Sequence, residues 1–299
     1  MKMIFDRNLE NMLIYAQGRE VYKYFETNEP EHFVHSFPNP IVPTDFYRAV
    51  TTIHDSSVRD MVCALLSSAQ RDIEYDGTTV DWYTHGLANV WHPTIDTFLF
   101  CKALHEIPII GTEKTCVEIG CGSGFISKYV LEHLPNIERM DVVDTEHNAI
   151  VCAKKEITDI RAHFYIQNGI SFLNNKKYDL ILTNPPYIPR PNTKDRNPYE
   201  GTEIVEYMIF AEKHLNHNGK ILMNTSHLCE HIVQKCTLTS KLQRRIVSSL
   251  EVPFRVRAVL RNPTWLDYLQ QECGLRKECK NGYDYWHTLQ VSVFELPRS

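Results

Sequence analysis

Val117-Glu118-Ile119-Gly120-Cys121-Gly122-Ser123-Gly124 is the stretch from which the fold can be read. It begins inside a short apolar run, Thr115 to Ile119, with the length and composition of a buried strand. It ends in glycines at alternate positions, which let a backbone turn tightly and come close to a ligand. The dinucleotide fingerprint G-x-G-x-x-G is excluded, because Phe125 stands where its last glycine belongs. Glu118 beside the loop would repel phosphates and suits an ammonium group.

On either side of this stretch, strands alternate with helices. Thr94 to Leu104 has helical spacing, and Ser127 to His133 continues as a helix after the glycines. Met140 to Val143, His163 to Ile166, Leu180 to Thr183 and Ile221 to Asn224 are further short apolar strands, with helices near 146–156 and 203–215. Such alternation predicts an α/β fold, a mostly parallel sheet with helices on both faces. Near the end, Pro263 to Gln271 reads as a helix opened by proline and stopped by Gly274. Asn281-Gly282 then predicts an antiparallel hairpin whose second strand carries Leu289, Val291 and Val293. Residues 227–261 are expected to be an insertion ahead of that last helix. Leu9, Met12, Leu13 and Ala16, then Val58, Met61, Val62 and Leu65, predict a small helical module over residues 1 to about 72. Asp76-Gly77 marks a short hairpin or connector leading to residue 90. The division expected is therefore 1–90, a helical recognition module with its connector, and 91–299, the α/β domain.

The 299 residues carry a formal charge of -5, which gives no global pull toward nucleic acid or acidic membranes. The nine cysteines are scattered, odd in number and without a C-x-x-C pair, as expected of free thiols in a reducing compartment. No run approaches the ~18 apolar residues of a membrane span, and Lys2, Asp6 and Arg7 interrupt any signal-like start. A cytoplasmic protein is expected.

The pattern E-x-G-x-G-x-G formed by Glu118, Gly120, Gly122 and Gly124 resembles that of class I S-adenosylmethionine-dependent methyltransferases. The resemblance implies a Rossmann-like sheet closed by an antiparallel C-terminal hairpin, and S-adenosylmethionine as cofactor. Its ligand has a zwitterionic amino-acid end and a cationic sulfur, which Glu118 suits. Gly120, Cys121, Gly122 and Gly124 would form the loop beneath it. Asp144, at the end of the next strand, can accept both hydroxyl hydrogens of a ribose, and Thr145 follows it into the next helix. Asn168 and Gly169, after the third strand, occupy the place where the family usually has an acidic or amide residue near the adenine.

Asn184-Pro185-Pro186-Tyr187 directly follows the strand Asp179 to Thr183. An amide or adenine amino nitrogen is a poor nucleophile because its lone pair is delocalised. Acceptors placed out of its plane draw it toward tetrahedral geometry. The Asn184 side-chain oxygen and the Pro185 carbonyl can take its two hydrogens, and Tyr187 offers a flat face for stacking. Pro185 holds Asn184 extended, and Pro185 and Pro186 together remove competing N–H donors from the loop. Catalysis is then positioning plus preorganised acceptors. With Ile188 and Pro189, this motif resembles the HemK/PrmC family of release-factor glutamine methyltransferases. Pro93, Asp96, Thr97, Phe98 and Leu99 resemble the P-x-x-D-T-F-L lead-in of its eukaryotic and archaeal branch. The resemblance implies methylation of a glutamine side-chain amide in a protein. His92, Ile95 and the charged segment Arg190 to Gly201 depart from the family pattern.

His227, Cys229, His231 and Cys236 match no zinc-site spacing, so no metal is expected. The basic stretch from Lys241 to Arg261 reads as a solvated face or a phosphate contact, and Trp82, Tyr83 and Trp91 as core. A macromolecular substrate is expected, more readily protein than nucleic acid, with no membrane partner and a partner subunit left open. An adenine N6-methyltransferase on RNA or DNA and a non-catalytic binding subunit are the alternatives.

Overall fold

The computed structural model describes residues 2–5, 56–60, 72–81, 90–91, 93–107, 113–191, 201–254, 256–280 and 283–297. The first sheet has three strands, β1 (Lys2–Phe5), β2 (Asp72–Tyr75) and β3 (Thr78–Asp81). β1 runs parallel to β2, which pairs antiparallel with β3 across the expected Asp76-Gly77 turn. Both turn residues have positive φ, the backbone state that aspartate tolerates and glycine favours.

The second sheet is the framework of the domain. Its parallel core is β4 (Thr115–Ile119), β5 (Arg139–Asp144), β6 (Ala162–Ile166), β7 (Tyr178–Thr183) and β8 (Leu215–Ser226). The antiparallel part is β9 (Gln243–Pro253), β10 (Arg276–Lys280) and β11 (Tyr283–Glu295). Strand order is β10-β11-β8-β7-β4-β5-β6, with β9 also paired to β11. The helices are α1 (Ile95–Glu106), α2 (Phe125–His133), α3 (His147–Glu156), α4 (Gly169–Leu173), α5 (Glu203–Ile209), α6 (Glu230–Thr239), α7 (Arg257–Leu260) and α8 (Pro263–Glu272). The strand order is Rossmann-like, as the class I resemblance implies, and β10 and β11 form the hairpin expected from the sequence.

Local chemistry sets the helix starts. Thr94 and Thr97 form a capping box at α1. Asn262 accepts from the Trp265 N–H at 3.1 Å ahead of Pro263 in α8. Apolar strands buried on both faces explain the nearly continuous hydrophobic runs of β4 and β7. One core cluster packs α1 and α2 on one side of the sheet, and a second packs Val205, Met208 and Val233 with Phe172.

The structure corrects two expectations. Residues 227–261 are not an excursion from the sheet, because they carry α6 and β9. β9 runs antiparallel to β11 from Trp286↔Pro253 to Glu295↔Gln243. Its pattern misled because only one face is well buried, so the strand reads as a charged, amphipathic segment. Along the chain, α7, α8 and β10 separate β9 from β11. The N-terminal region is also not helical throughout. A helix does cover residues 56–60, but Lys2–Phe5 is a strand, paired with the first strand of the expected Asp76-Gly77 hairpin. Ile73, Tyr75 and Val80 belong to the same core cluster as Phe98, Phe125 and Tyr129. Tyr75 stacks on Phe98 with ring centroids 5.3 Å apart, so the hairpin is packed onto α1 and α2. The Leu9–Ala16 helix, Trp82 and Tyr83 lie outside the described residues. No helix among the described residues is long and apolar enough to cross a membrane.

Candidate active site

The chain reverses its direction across the sheet between β6, at one edge, and β7, on the far side of β4. Ligands of open α/β sheets bind at such a switch point, at the carboxyl ends of the strands. Register does the rest. Ile119 pairs with Thr183, which places Gly120 beside Asn184. Ile119 also pairs with Val143, which places Asp144 beside Gly120. Thr183 pairs with Met223, which places Asn184 beside Asn224. The ends of β4, β5 and β7 thus converge on one cavity of about 250 Å³, and β8 lies beside Asn184.

The glycine loop is folded by its backbone. The Gly120 and Cys121 N–H groups donate to the Val143 carbonyl, at 2.8 and 3.2 Å. Gly120, Gly122 and Gly124 all have positive φ. A Cβ on Gly122 would come 2.6 Å from the Trp91 carbonyl oxygen, so only glycine fits there. That same carbonyl accepts from the Ser123 N–H at 2.9 Å, tying the lead-in segment to the loop.

Two acids flank the loop. Glu118 is 1% exposed and accepts from the Ser127 N–H at 2.9 Å and from the Ser127 hydroxyl. Burial pushes its pKa up to about 8, against the lowering effect of the Ser127 bonds. Asp144 accepts from the Glu146 N–H at 2.9 Å through one oxygen and from the Gly122 N–H at 3.0 Å through the other. Burial raises its pKa too, and these backbone bonds oppose the rise.

Asn184 is held at both ends. Its Nδ2 donates to Asp96 Oδ2 at 3.1 Å, and its Oδ1 accepts from Asn224 Nδ2 at 3.0 Å. Sequence gives neither partner a role in the site: Asp96 belongs to the lead-in, and Asn224 is an ordinary strand residue until β8 is placed beside β7. Tyr187 packs against three core clusters of the described residues, the third built around Leu228, Phe254 and Leu269, and burial raises its pKa well above the usual phenol value.

Most of the expected site residues come together. Glu118, Gly120, Cys121, Gly122, Asp144, Thr145, Asn184, Pro185, Pro186 and Tyr187 all line the cavity. Gly124, Asn168 and Gly169 do not. Gly124 starts α2 in the left-handed conformation, where a Cβ would come 2.8 Å from that of Ala153. Asn168 is the exposed N-cap of α4 and accepts from the Ser171 N–H at 3.1 Å. Gly169 packs beneath Ile119. Trp91, expected in the core, is 53% exposed and lines the cavity.

The lining carries four carboxylates, of Asp96, Glu118, Asp144 and Glu146, and no lysine, arginine or histidine among the described residues. That donor set fits S-adenosylmethionine, which brings positive charge at sulfur and ammonium and no phosphate. Each Asp144 oxygen keeps a further acceptor position for a ribose hydroxyl.

The methyltransferase small domain family model matches residues 94–245, half of the chain. The chain belongs to that family. Its domain is that of a class I methyltransferase using S-adenosylmethionine. A bifunctional methyltransferase of Rickettsia felis is 33% identical over 144 residues, 42% of this chain and 27% of that protein. The ribosomal RNA large subunit methyltransferase G of Colwellia psychrerythraea is 25% identical over 138 residues, 43% of this chain and 33% of that protein. The chain spans about a third or less of the length of these two relatives. Among solved structures, the ribosomal protein L11 methylase of Lactobacillus delbrueckii subsp. bulgaricus matches with a TM-score of 0.42 at 13% identity, over 68% of this chain and 79% of that one.

Two of the residues weighed as zinc ligands, His227 and Cys229, make hydrogen bonds within the fold. His227 Nδ1 accepts from the Thr288 N–H at 2.8 Å, which leaves its Nε2–H to donate to the Gly274 carbonyl at 3.0 Å. The Cys229 thiol donates to the Ser226 carbonyl. Elsewhere, Asp76, His105 and His133 bring potential ligand atoms within 4.8 Å of one another. There the Tyr129 hydroxyl donates to Asp76 at 2.8 Å and contacts His105, forming a hydrogen-bonded clasp between the hairpin and the helices.

Proposed function

We propose that this chain transfers a methyl group to a planar nitrogen of a macromolecule, and that the nitrogen is the side-chain amide of a glutamine in a protein. The observation that carries this reading is Asn184 at the cavity wall. Its oxygen has one position filled by Asn224 and a second left for a substrate N–H. The Pro185 carbonyl, in a loop without competing donors, is the second acceptor. S-adenosylmethionine supplies an electrophilic methyl on a sulfonium. Asn184 and Pro185 orient the nitrogen so that its lone pair, rather than its delocalised plane, faces that methyl. No base precedes attack, because the proton becomes acidic only once the nitrogen is alkylated.

Protein is favoured over nucleic acid by charge. Among the described residues the charged side chains of the cavity are all acidic, and of those between Lys241 and Arg261 only Val256 reaches its lining. Arg244 is committed to Glu230 at 2.6 Å and to Ser292 and Gln290 at 3.0 Å, so its guanidinium is not a free phosphate ligand. The likeness of Asn184 to Pro189 and of the lead-in to the HemK/PrmC pattern supports glutamine. Residues 1–90 are the part proposed to recognise the substrate, with 91–299 as the catalytic domain. A second reading, an exocyclic amino group of an RNA base, is favoured by the relatives named ribosomal RNA large subunit methyltransferase G. It poses the same problem to Asn184.

Methyl-labelled S-adenosylmethionine and whole-cell extract, split between protease and nuclease, separate the two. Label released by protease and recovered as a methylated glutamine is the expected result. Label that resists protease and is released by nuclease would transfer the proposal to the RNA reading.

A further inference from the structure

We infer that Asp96 is a positioning residue of the methyl-transfer site: it decides which end of the Asn184 amide faces the incoming nitrogen. The inference rests on the acceptor role proposed for Asn184. The two ends of a side-chain amide have nearly the same size and opposite hydrogen-bonding character, so packing alone cannot choose between them. A wrongly turned Asn184 would point N–H groups at the substrate N–H and repel it.

The choice is made by a partner of unambiguous polarity. A carboxylate only accepts, so only the nitrogen of Asn184 can face Asp96 Oδ2, and it does so at 3.1 Å. The oxygen is thereby sent to the other side, where Asn224 Nδ2 meets it at 3.0 Å. Asn224 cannot enforce this by itself, because its own amide can turn over. Its Oδ1 is buried without a hydrogen-bond partner, so nothing else fixes its sense. Polarity therefore runs from Asp96 to Asn184 to Asn224.

Asp96 is suited to the task because it cannot move. It is 5% exposed, in the first turn of α1, and its Oδ1 accepts from the Thr97 N–H at 2.8 Å and from the Thr94 hydroxyl. One oxygen thus anchors the residue to the helix start, and the other is left for Asn184. The negative charge also polarises the amide, which strengthens the acceptor that faces the cavity.

Two single substitutions and their combination test this. In Asp96→Asn the new side chain has one acceptor oxygen for two claimants. If that oxygen stays on the Thr97 N–H, two amide nitrogens meet and Asn184 must turn over. In Asn184→Asp two carboxylates face each other. Combining Asp96→Asn with Asn184→Asp restores every bond. The amide at position 96 keeps its oxygen on Thr97 and donates to the carboxylate at position 184, which accepts from Asn224 and still faces the cavity as an acceptor.

Activity is read as tritium transfer from methyl-labelled S-adenosylmethionine to acid-precipitated macromolecules of a whole-cell extract. Calorimetry with S-adenosylhomocysteine and thermal melting are run on each variant. Each single variant is expected to lose at least about tenfold in kcat, and much less in cofactor affinity. The double variant is expected to regain at least about tenfold over either single, a rescue that a merely structural aspartate would not give. Asp96→Asn retaining wild-type kcat, or a double variant that melts like wild type yet gains nothing over the singles, would overturn the inference. Asn184→Ala with wild-type activity would overturn the acceptor reading and this inference with it. Asn184→Ala inactive beside a fully active Asp96→Asn would overturn this inference alone. Should Asp96→Asn melt below the assay temperature, the double variant, which keeps both sets of bonds, still decides the matter.

Discussion

Asp144→Ala removes the residue expected to hold the ribose of S-adenosylmethionine, and its effect can be worked from the hydrogen bonds already present. Each carboxylate oxygen takes one backbone N–H, from Glu146 at 2.9 Å and from Gly122 at 3.0 Å. One acceptor position per oxygen remains, enough for the two hydroxyls of a ribose. A hydrogen bond to a charged group contributes about 1.5–3 kcal/mol. Asp144 is only half-buried, so the lower end applies, and two such bonds come to about 3 kcal/mol, or roughly a hundredfold in Kd. Asp144→Asn separates shape from charge. Its single acceptor oxygen can serve one of the two N–H groups, and about tenfold of affinity should go. Calorimetric titration with S-adenosylhomocysteine measures both variants. Stability should fall less, by about 1 kcal/mol for the alanine variant, because water reaches the freed N–H groups. If Asp144→Ala binds within about threefold of wild type, the ribose assignment is wrong, and Asp144 merely braces the loop.

Three further outcomes follow from the geometry. Glu118 holds its proton up to about pH 8 in the free protein, and a bound cation favours its ionised form. Cofactor affinity should therefore rise from pH 6 to 8, by at most about tenfold per unit, and level off above. Glu118→Gln should flatten that profile, and a flat profile in the wild type would refute the pairing. The folding linkage has the opposite sense. The folded state keeps the proton more firmly than the unfolded one, so Glu118's contribution to stability is lost between its ordinary value of 4.5 and about 8. Gly122→Ala meets the Trp91 carbonyl at 2.6 Å in a left-handed conformation. Urea denaturation should show a loss of about 2–3 kcal/mol, from the conformation and the displaced Ser123–Trp91 bond, and a loss below about 0.5 kcal/mol would show that the loop yields freely. Lys220 and Glu113 form a buried pair at 2.9 Å, with side chains 6% and 5% exposed. Lys220→Ala should cost about 3–5 kcal/mol by stranding Glu113. Lys220→Met combined with Glu113→Leu should recover most of it, and an equally unstable double variant would contradict that explanation.

The sequence by itself determined the parallel part of the sheet, the glycine loop and the Asn184–Tyr187 loop at its edge, because each rests on local chemistry. Buried parallel strands are apolar on both faces, positive φ demands glycine at positions 120, 122 and 124, and two prolines fix whatever precedes them. The hairpin at Asn281-Gly282 and the start of α8 at Pro263 were legible for the same reason. What depends on the neighbour across a strand was not. β9 looked like a charged insertion because its partner, β11, lies more than thirty residues further along the chain, and pairing leaves no mark in composition. The Asp76-Gly77 hairpin was legible as a turn, but its place in the core was not, since only tertiary packing brings Tyr75 onto Phe98. Asn168 sat in a suggestive place, and a local N-cap bond claimed its side chain instead. Asp96 and Asn224 became partners of Asn184 only when α1 and β8 were brought to the end of β7. They stand 88 and 40 residues from Asn184 along the chain. A hydrogen bond of 3 Å is blind to that separation, and a one-dimensional pattern is blind to the bond.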